Sequence, residues 1–131
     1  IQTPFNVLDQ RLTETGWLKK LKKRKIEVHA RSIFLQGILL LKKNQLPKKL
    51  HSLDKSWLIW EDWLKKNKFN PLQVCLSFVV NQNQLDGIVV GFNDKNQLEQ
   101  TLKIKYLKNI SMPNFNIKNK KLIDPRNWTN Y

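Results

Sequence analysis

The sequence holds a single cysteine, which excludes an intrachain disulfide. Cys75 lies in an apolar stretch, VCLSFVV, where we expect a small buried side chain in a reducing compartment, the cytoplasm. No stretch approaches about eighteen consecutive apolar residues, so no transmembrane helix is predicted. The two histidines show neither metal-ligand spacing nor the pattern of a Ser/His/Asp triad. We therefore predict no metal site in this chain.

Basic residues, by contrast, are abundant: 24 Lys and Arg against 10 Asp and Glu give a net charge of +14. Such an excess is typical of nucleic-acid-binding domains, which are therefore the first alternative. In LKKLKKRK (18–25), Leu18 and Leu21 keep helical spacing while basic residues fill the other positions, as on a solvated helix face. No zinc-finger, helix-turn-helix or RNA-recognition motif accompanies the charge. A basic nucleic-acid-binding or protein-interaction domain without enzymatic activity therefore stays an alternative.

The length of 131 residues and the five tryptophans predict one folded domain, with residues 111–131 as a tail that Ile123 and Trp128 dock. Because the chain starts at Ile1 without an initiator Met, we expect a trimmed chain or a piece of a longer protein.

Apolar spacing predicts four helices. In the first, Leu12, Trp17, Leu18 and Leu21 would share one buried side, although Gly16 weakens its start. The clearest stripe steps by four, three and four residues, with Ser52 as its N-cap. It consists of Leu53, Trp57, Trp60 and Leu64.

The last two helices carry their own start signals. Asn70 followed by Pro71 predicts a capped helix that buries Cys75. Asp94, with Gln97 three residues later, resembles a capping box.

Three strands alternate with these helices. IQTPFNVL (1–8) contains Pro4 and so is not an ordinary central strand throughout, IEVHARS (26–32) has suitable β-branched residues, and GIVVGFN (87–93) reads as a strand buried on both faces. Strands alternating with helices predict an α/β fold of parallel βα units. Arg31 and Ser32 are unexpected at the end of an apolar strand, unless that end opens onto a ligand.

Four stretches together resemble the final three strand–helix units of the aldo/keto reductase family. The resemblance covers nearly the whole chain, to about Trp128, and the closing DPRNW looks like the end seen in a bacterial branch. The stretches are IQTPFNVLDQR, IEVHARSIFLQGILLL, NPLQVCLSFVV and GIVVGFNDKNQLEQTL.

The resemblance implies a partial (β/α)8 TIM barrel, with about three of its eight parallel βα units, and a parent enzyme that reduces carbonyls with NADP or NAD. Active sites of such barrels lie at the C-terminal ends of the strands. By resemblance Gln2 meets the nicotinamide carboxamide, Arg31 lies where many members stack an aromatic on the nicotinamide, and Ser32 and Leu35 contact the pyrophosphate. The residues expected along the adenosine part are Gly91, Phe92, Asn93, Gln97, Gln100 and Thr101.

The sequence departs from the family in two respects. Many NADPH-preferring members carry a Lys-Ser pair and an Arg where this chain has Gly91-Phe92 and Gln97, which leaves the choice between NADP and NAD open. The family's catalytic Asp, Tyr, Lys and His come from earlier strands, and the only tyrosines here, Tyr106 and Tyr131, are predicted in a helix and in the tail. We therefore expect a C-terminal fragment without catalytic residues of its own.

Three parallel strands would leave two unpaired sheet edges, which predicts a homo-oligomer formed through those edges or through the Trp-rich helices. A further alternative is a decayed barrel half that keeps only a packing surface. Cofactor binding distinguishes it from a reductase fragment that keeps its cofactor site.

Overall fold

The computed structural model describes residues 1–115, 117 and 120–128, without the side chain of Ser52. Its strands are β1 (Gln2–Pro4), β2 (His29–Arg31) and β3 (Gly87–Ile88). The α-helices are α1 (Arg11–Glu14), α2 (Trp17–Lys23), α3 (Asp54–Asn67), α4 (Pro71–Val80) and α5 (Lys95–Leu102). Short 3-10 helices span Ile38–Leu40, Lys43–Gln45, Lys48–Leu53, Lys120–Ile123 and Pro125–Asn127.

The three strands form one parallel sheet in the order β1-β2-β3, with Gln2 opposite His29 and Ala30 opposite Ile88. This arrangement confirms the predicted α/β class. Pro4 lies on an edge strand, where its missing N–H costs no hydrogen bond to a central neighbour. All three strands run in the same direction, so their C-terminal ends meet at one side of the sheet.

The last strand is shorter and more exposed than its apolar run predicts. Only Gly87–Ile88 pair with β2, and Val89 is 41% exposed, so the prediction of a strand buried on both faces is wrong. An apolar run indicates burial only where neighbouring elements cover both faces, and the outer edge of β3 pairs with no other strand among the described residues.

The first predicted helix is divided in two. Gly16 adopts φ +73° and separates α1 from α2. Leu18 is buried as predicted, but Trp17 is 54% exposed, with the Lys20 ammonium 5.0 Å from its ring centre. The prediction that Trp17 faces the core is therefore wrong, because the break at Gly16 interrupts the helical spacing on which that prediction depends.

The core lies against α3. Trp57 and Trp60 are each 1% exposed, and their indole N–H groups donate to the carbonyls of Leu41 and Leu39 at 3.3 and 3.2 Å. The helix begins at Asp54, directly after the 3-10 helix Lys48–Leu53, so the prediction of Ser52 as its N-cap is wrong.

The tail packs against this core. Ile123 and Trp128 are buried in the same cluster as the α3 tryptophans, which confirms that they dock the tail. The carbonyl of Phe115 accepts a hydrogen bond from Ser56 Oγ at 2.8 Å.

Within the described residues, no helix has the length and apolar character needed to cross a membrane.

Candidate functional site

The loop that follows β2, residues 32–37, has an unusual backbone. Ser32, Leu35 and Gln36 take φ values of 56°, 47° and 56°, and Gly37 takes 83°. A non-glycine residue in this left-handed region costs of order 1–3 kcal/mol, so it persists only where its surroundings hold it. Such strain is concentrated in proteins at ligand sites, so loop 32–37 is a candidate ligand site.

Buried side chains and a tight turn hold loop 32–37 in place. Ile33 and Leu35 are 2% and 1% exposed, and the Leu35 N–H donates to the Ser32 carbonyl at 2.9 Å. The buried apolar side chains from the run IFLQG therefore anchor the loop in the core, while Gln36 between them and Gly37 is exposed.

Four backbone N–H groups of this loop make no hydrogen bond with another described residue: those of Ile33, Phe34, Gln36 and Gly37. Amides left unpaired in a loop that alternates between backbone conformations can form a concave binding site for an anion. Ser32 and these four residues all line one cleft.

Arg31 supplies the charge beside these amides. It is exposed at the end of β2, its Nη1 donates to Ser32 Oγ at 3.2 Å, and it forms no ion pair with a described carboxylate. Its guanidinium is therefore available to a ligand, either flat against a ring or as a donor to phosphate oxygens.

The opposite wall of the cleft comes from the segment after β3 and from α5. Asp94 caps α5 by accepting the Gln97 N–H at 2.9 Å, and Gln97 Oε1 accepts the Asn93 N–H at 3.0 Å. The N-cap is confirmed, but the return bond ends one residue before the Asp94 N–H that a standard capping box would use. Gly91 is exposed, and a Cβ built there meets nothing within 4 Å.

The cleft between these two walls has a volume of about 720 Å³. It brings together eight of the ten residues predicted from the sequence: Arg31, Ser32, Gly91, Phe92, Asn93, Gln97, Gln100 and Thr101. Sequence reasoning missed the rest of the lining, which is apolar apart from Gln36 and Gly37; these residues are Ile33, Phe34, Gln36, Gly37, Leu40, Leu72, Val89 and Val90. The glycine at the end of IFLQG was the one available signal for the loop's left-handed end.

The other two predicted residues lie outside this cleft. Gln2 is exposed on β1. Leu35 lines a neighbouring cavity of about 460 Å³, which shares Arg31, Ser32 and Gln36 with the cleft. Their roles toward a cofactor stay predictions.

A network of ion pairs crosses this neighbouring cavity and ties the tail to the loop after β1. Arg126 donates to both carboxylate oxygens of Asp124, which holds the pKa of that carboxyl well below its usual range. Arg11 donates from Nε and Nη2 to the two carboxylate oxygens of Asp9, at 2.8 and 2.7 Å. Its Nη1 lies 3.6 Å from Asp124 Oδ2. These contacts with Asp9, and then Asp124, raise the pKa of the Arg11 guanidinium.

The remaining candidate groups lie apart from the cleft. Tyr106 follows the end of α5, so its predicted position in a helix is wrong, and Tyr131 falls outside the described residues. His29 lies on β2 with its Nε2 2.8 Å from Glu27 Oε1, and burial raises the pKa of the Cys75 thiol. Across the part of the chain that the structure describes, no three His, Cys, Asp or Glu side chains gather as metal ligands.

Comparison with known proteins supports the resemblance seen in the sequence. Residues 1–119 match the sequence profile of the family described as the Aldo/keto reductase family. No curated protein matches the chain.

Proposed function

The chain belongs to the aldo/keto reductase family, and we propose that it forms the cofactor-binding C-terminal part of an NAD(P)H-dependent carbonyl reductase. The family implies a TIM barrel, and the three parallel strands are consistent with part of one. The cleft at the ends of β2 and β3 is the observation that carries the proposal, because it gathers residues from two strand ends as this fold requires of a site.

The chemistry of the cleft suits a dinucleotide. The unpaired amides of loop 32–37 suit the diphosphate group, and the apolar lining from Phe34 and Val90 suits the flat surface of a base. Leu35 has a buried side chain and an N–H already bonded to Ser32, so its part is to anchor the loop.

Each predicted residue has a distinct part in this arrangement. Arg31 lies against the nicotinamide end beside the diphosphate, and Gln2 on the neighbouring strand meets the carboxamide. The 91–93 segment and α5 flank the adenosine end through Gln100 and Thr101. Bound NAD(P)H would supply the hydride for carbonyl reduction, while the acid–base residues would come from other strands of the barrel.

Titration calorimetry of the chain with NADH, NADPH and ADP-ribose tests the proposal. We expect micromolar binding that Arg31→Ala weakens about tenfold, since hydrogen bonds to a charged group contribute about 1.5–3 kcal/mol. Arg24→Ala is the matched control, because Arg24 is exposed and does not line the cleft. Absence of binding to all three ligands would contradict the proposal, as would equal losses in both variants.

A basic binding module is the second candidate. Lys19, Lys23 and Lys25 on and just after α2 are exposed, and none has an acidic partner among the described residues. A gel shift with nucleic acid that vanishes at moderate salt would reflect charge alone, whereas sequence preference that survives salt would favour this candidate.

A further inference from the structure

Asn6 is a fully buried amide that connects the loop after β1 to loop 32–37. Its Oδ1 accepts the N–H groups of Leu8 at 3.0 Å and Asp9 at 2.9 Å. Its Nδ2 donates to the carbonyl of Ser32 at 3.0 Å. One side chain therefore makes hydrogen bonds both within its own loop and to the loop that follows the neighbouring strand.

The chemistry of this position is specific to an amide. Two backbone N–H groups face Oδ1, so that atom must be an acceptor, and the Ser32 carbonyl requires a donor at the other terminus. An ionised carboxylate offers acceptors only, and a hydroxyl is too short to serve both loops.

The bond from Asn6 reaches loop 32–37 where the left-handed conformation begins. Ser32 is the first residue of the loop with positive φ, and its carbonyl accepts both Asn6 Nδ2 and the Leu35 N–H. Without Asn6, Ser32 would be drawn toward the negative φ that a serine prefers. That rotation would redirect the N–H groups that follow it.

We propose that Asn6 is a positioning residue that holds loop 32–37 in the conformation that receives the diphosphate of a dinucleotide. The inference rests on the function proposed above and adds to it a residue outside the cleft lining. Asn6 acts through Ser32, by fixing the direction in which the unpaired amides of the loop are presented.

Asn6→Asp is the sharpest variant, because it keeps Oδ1 for Leu8 and Asp9 but places a carboxylate oxygen against the Ser32 carbonyl. Asn81→Asp is the matched control: Asn81 Nδ2 also donates to a backbone carbonyl, that of Leu107 at 2.7 Å, and Asn81 does not line the cleft. The measurements are the ADP-ribose Kd by calorimetry and exchange of the Leu35 amide hydrogen by NMR.

We expect Asn6→Asp to weaken ADP-ribose binding about tenfold and to speed Leu35 exchange about tenfold, the size of one lost hydrogen bond. Asn81→Asp should change neither. Asn6→Ala removes the donor without adding charge and should act in the same direction. Adding Ser32→Gly to Asn6→Ala should restore part of the affinity, since glycine takes positive φ freely.

The outcomes separate this inference from the proposed function. Wild-type ADP-ribose affinity and Leu35 exchange in either folded Asn6 variant would overturn the positioning role and leave the proposed function standing. Equal losses in Asn6→Ala with and without Ser32→Gly would also overturn it. Failure of the wild-type chain to bind ADP-ribose would overturn both.

Discussion

Gly91 is the residue at which one side chain can change the ligand preference of the cleft. Arg31 is the one cation among the described residues that line it, so in the proposed binding mode a 2′-phosphate at the adenosine end would have no charged partner there. A Cβ at Gly91 meets nothing within 4 Å, so a side chain can start from this exposed position without a clash at its first atom. In the proposed function the backbone amides of loop 32–37 bind the diphosphate, which NAD and NADP share.

We predict that Gly91→Lys increases the affinity for NADPH about tenfold and leaves that for NADH nearly unchanged, since a charge-assisted bond to phosphate contributes about 1.5–3 kcal/mol. The wild-type chain should bind the two within a few-fold of each other. Titration calorimetry with both cofactors measures the ratio, and Gly91→Met controls for side-chain length. Equal gains for both cofactors would contradict a 2′-phosphate contact.

The Asp124 carboxylate predicts a pH dependence of stability. Its pKa is lowered first by the hydrogen bond from Arg126, so the folded state binds the proton more weakly than the unfolded state. The stabilisation is therefore present above the ordinary Asp pKa of about 3.9 and is lost as the pH falls from there toward the lowered value. Asp124→Asn should lower the free energy of unfolding by about 1 kcal/mol at neutral pH, as expected for a pair with an exposed partner.

Urea unfolding of both proteins at a series of pH values measures this difference. The gap between wild type and Asp124→Asn should close as the pH drops below about 4. Asp62→Asn is the control, because Asp62 is exposed and forms no ion pair with a described residue. A gap that stays constant with pH would show that the carboxylate charge contributes nothing.

At this scale the sequence predicts which polar residues gather but not how the backbone presents them. Arg31 and Ser32 stand out in the sequence because a charged and a hydroxyl side chain are unexpected at the end of an apolar strand. Leu35 and Gln36 carry no signal for positive φ, since the surroundings impose that conformation. Asn6 carries no sequence signal either, because its hydrogen bond reaches a residue 26 positions away.

At the scale of elements, α4 and α5 begin alike and depend on their N-caps differently. Asn70 caps α4 by accepting the Leu72 N–H at 2.8 Å, and α4 buries Val74 and Cys75 in the core. α5 buries no residue, and Leu102 at its end is 74% exposed. Because isolated helices of this length are marginal in water, α5 depends mainly on its cap and on the pairs of Glu99 with Lys95 and Lys103.

We predict that Asp94→Ala unwinds the first turn of α5 and weakens NADH binding several-fold, with little change in the midpoint of global unfolding. Asn70→Ala should do the reverse: it should lower the free energy of unfolding by about 1 kcal/mol and spare the affinity. NMR secondary shifts, urea unfolding and calorimetry measure the three effects. Equal loss of global stability in both variants would show that α5 belongs to the cooperative core.

Element type was predictable wherever a local rule governs it, as with Asn70-Pro71 before α4. Boundaries failed where tertiary context decides them. The run 87–93 pairs over two residues because β3 has no outer neighbour among the described strands, and α3 begins after a 3-10 helix that no sequence rule specifies. At Gly16 the left-handed conformation that glycine readily adopts ends a helix, although apolar spacing alone would continue it.

At the scale of the whole molecule, the sheet is open at both sides. In the described part of the chain, β1 and β3 each pair on one side only, and Ile1 and Val89 beside them are 57% and 41% exposed. Open edges favour pairing with another chain, while the net charge of +14 opposes it. The balance between these two terms depends on salt, because ions screen the repulsion between like-charged copies far more than they weaken strand pairing.

We predict a homo-oligomer whose formation is favoured by salt: light scattering at high protein concentration should show at least twice the single-chain mass at about 0.5 M salt and a smaller mass at low salt. Val89→Lys should weaken association, because a charge directly beside an edge strand discourages pairing. Val80→Lys is the matched control, since Val80 is similarly exposed but lies on α4. A compact monomer at every salt concentration would show that the open edges do not pair copies of this chain, and equal weakening by both variants would place the contact on other surfaces.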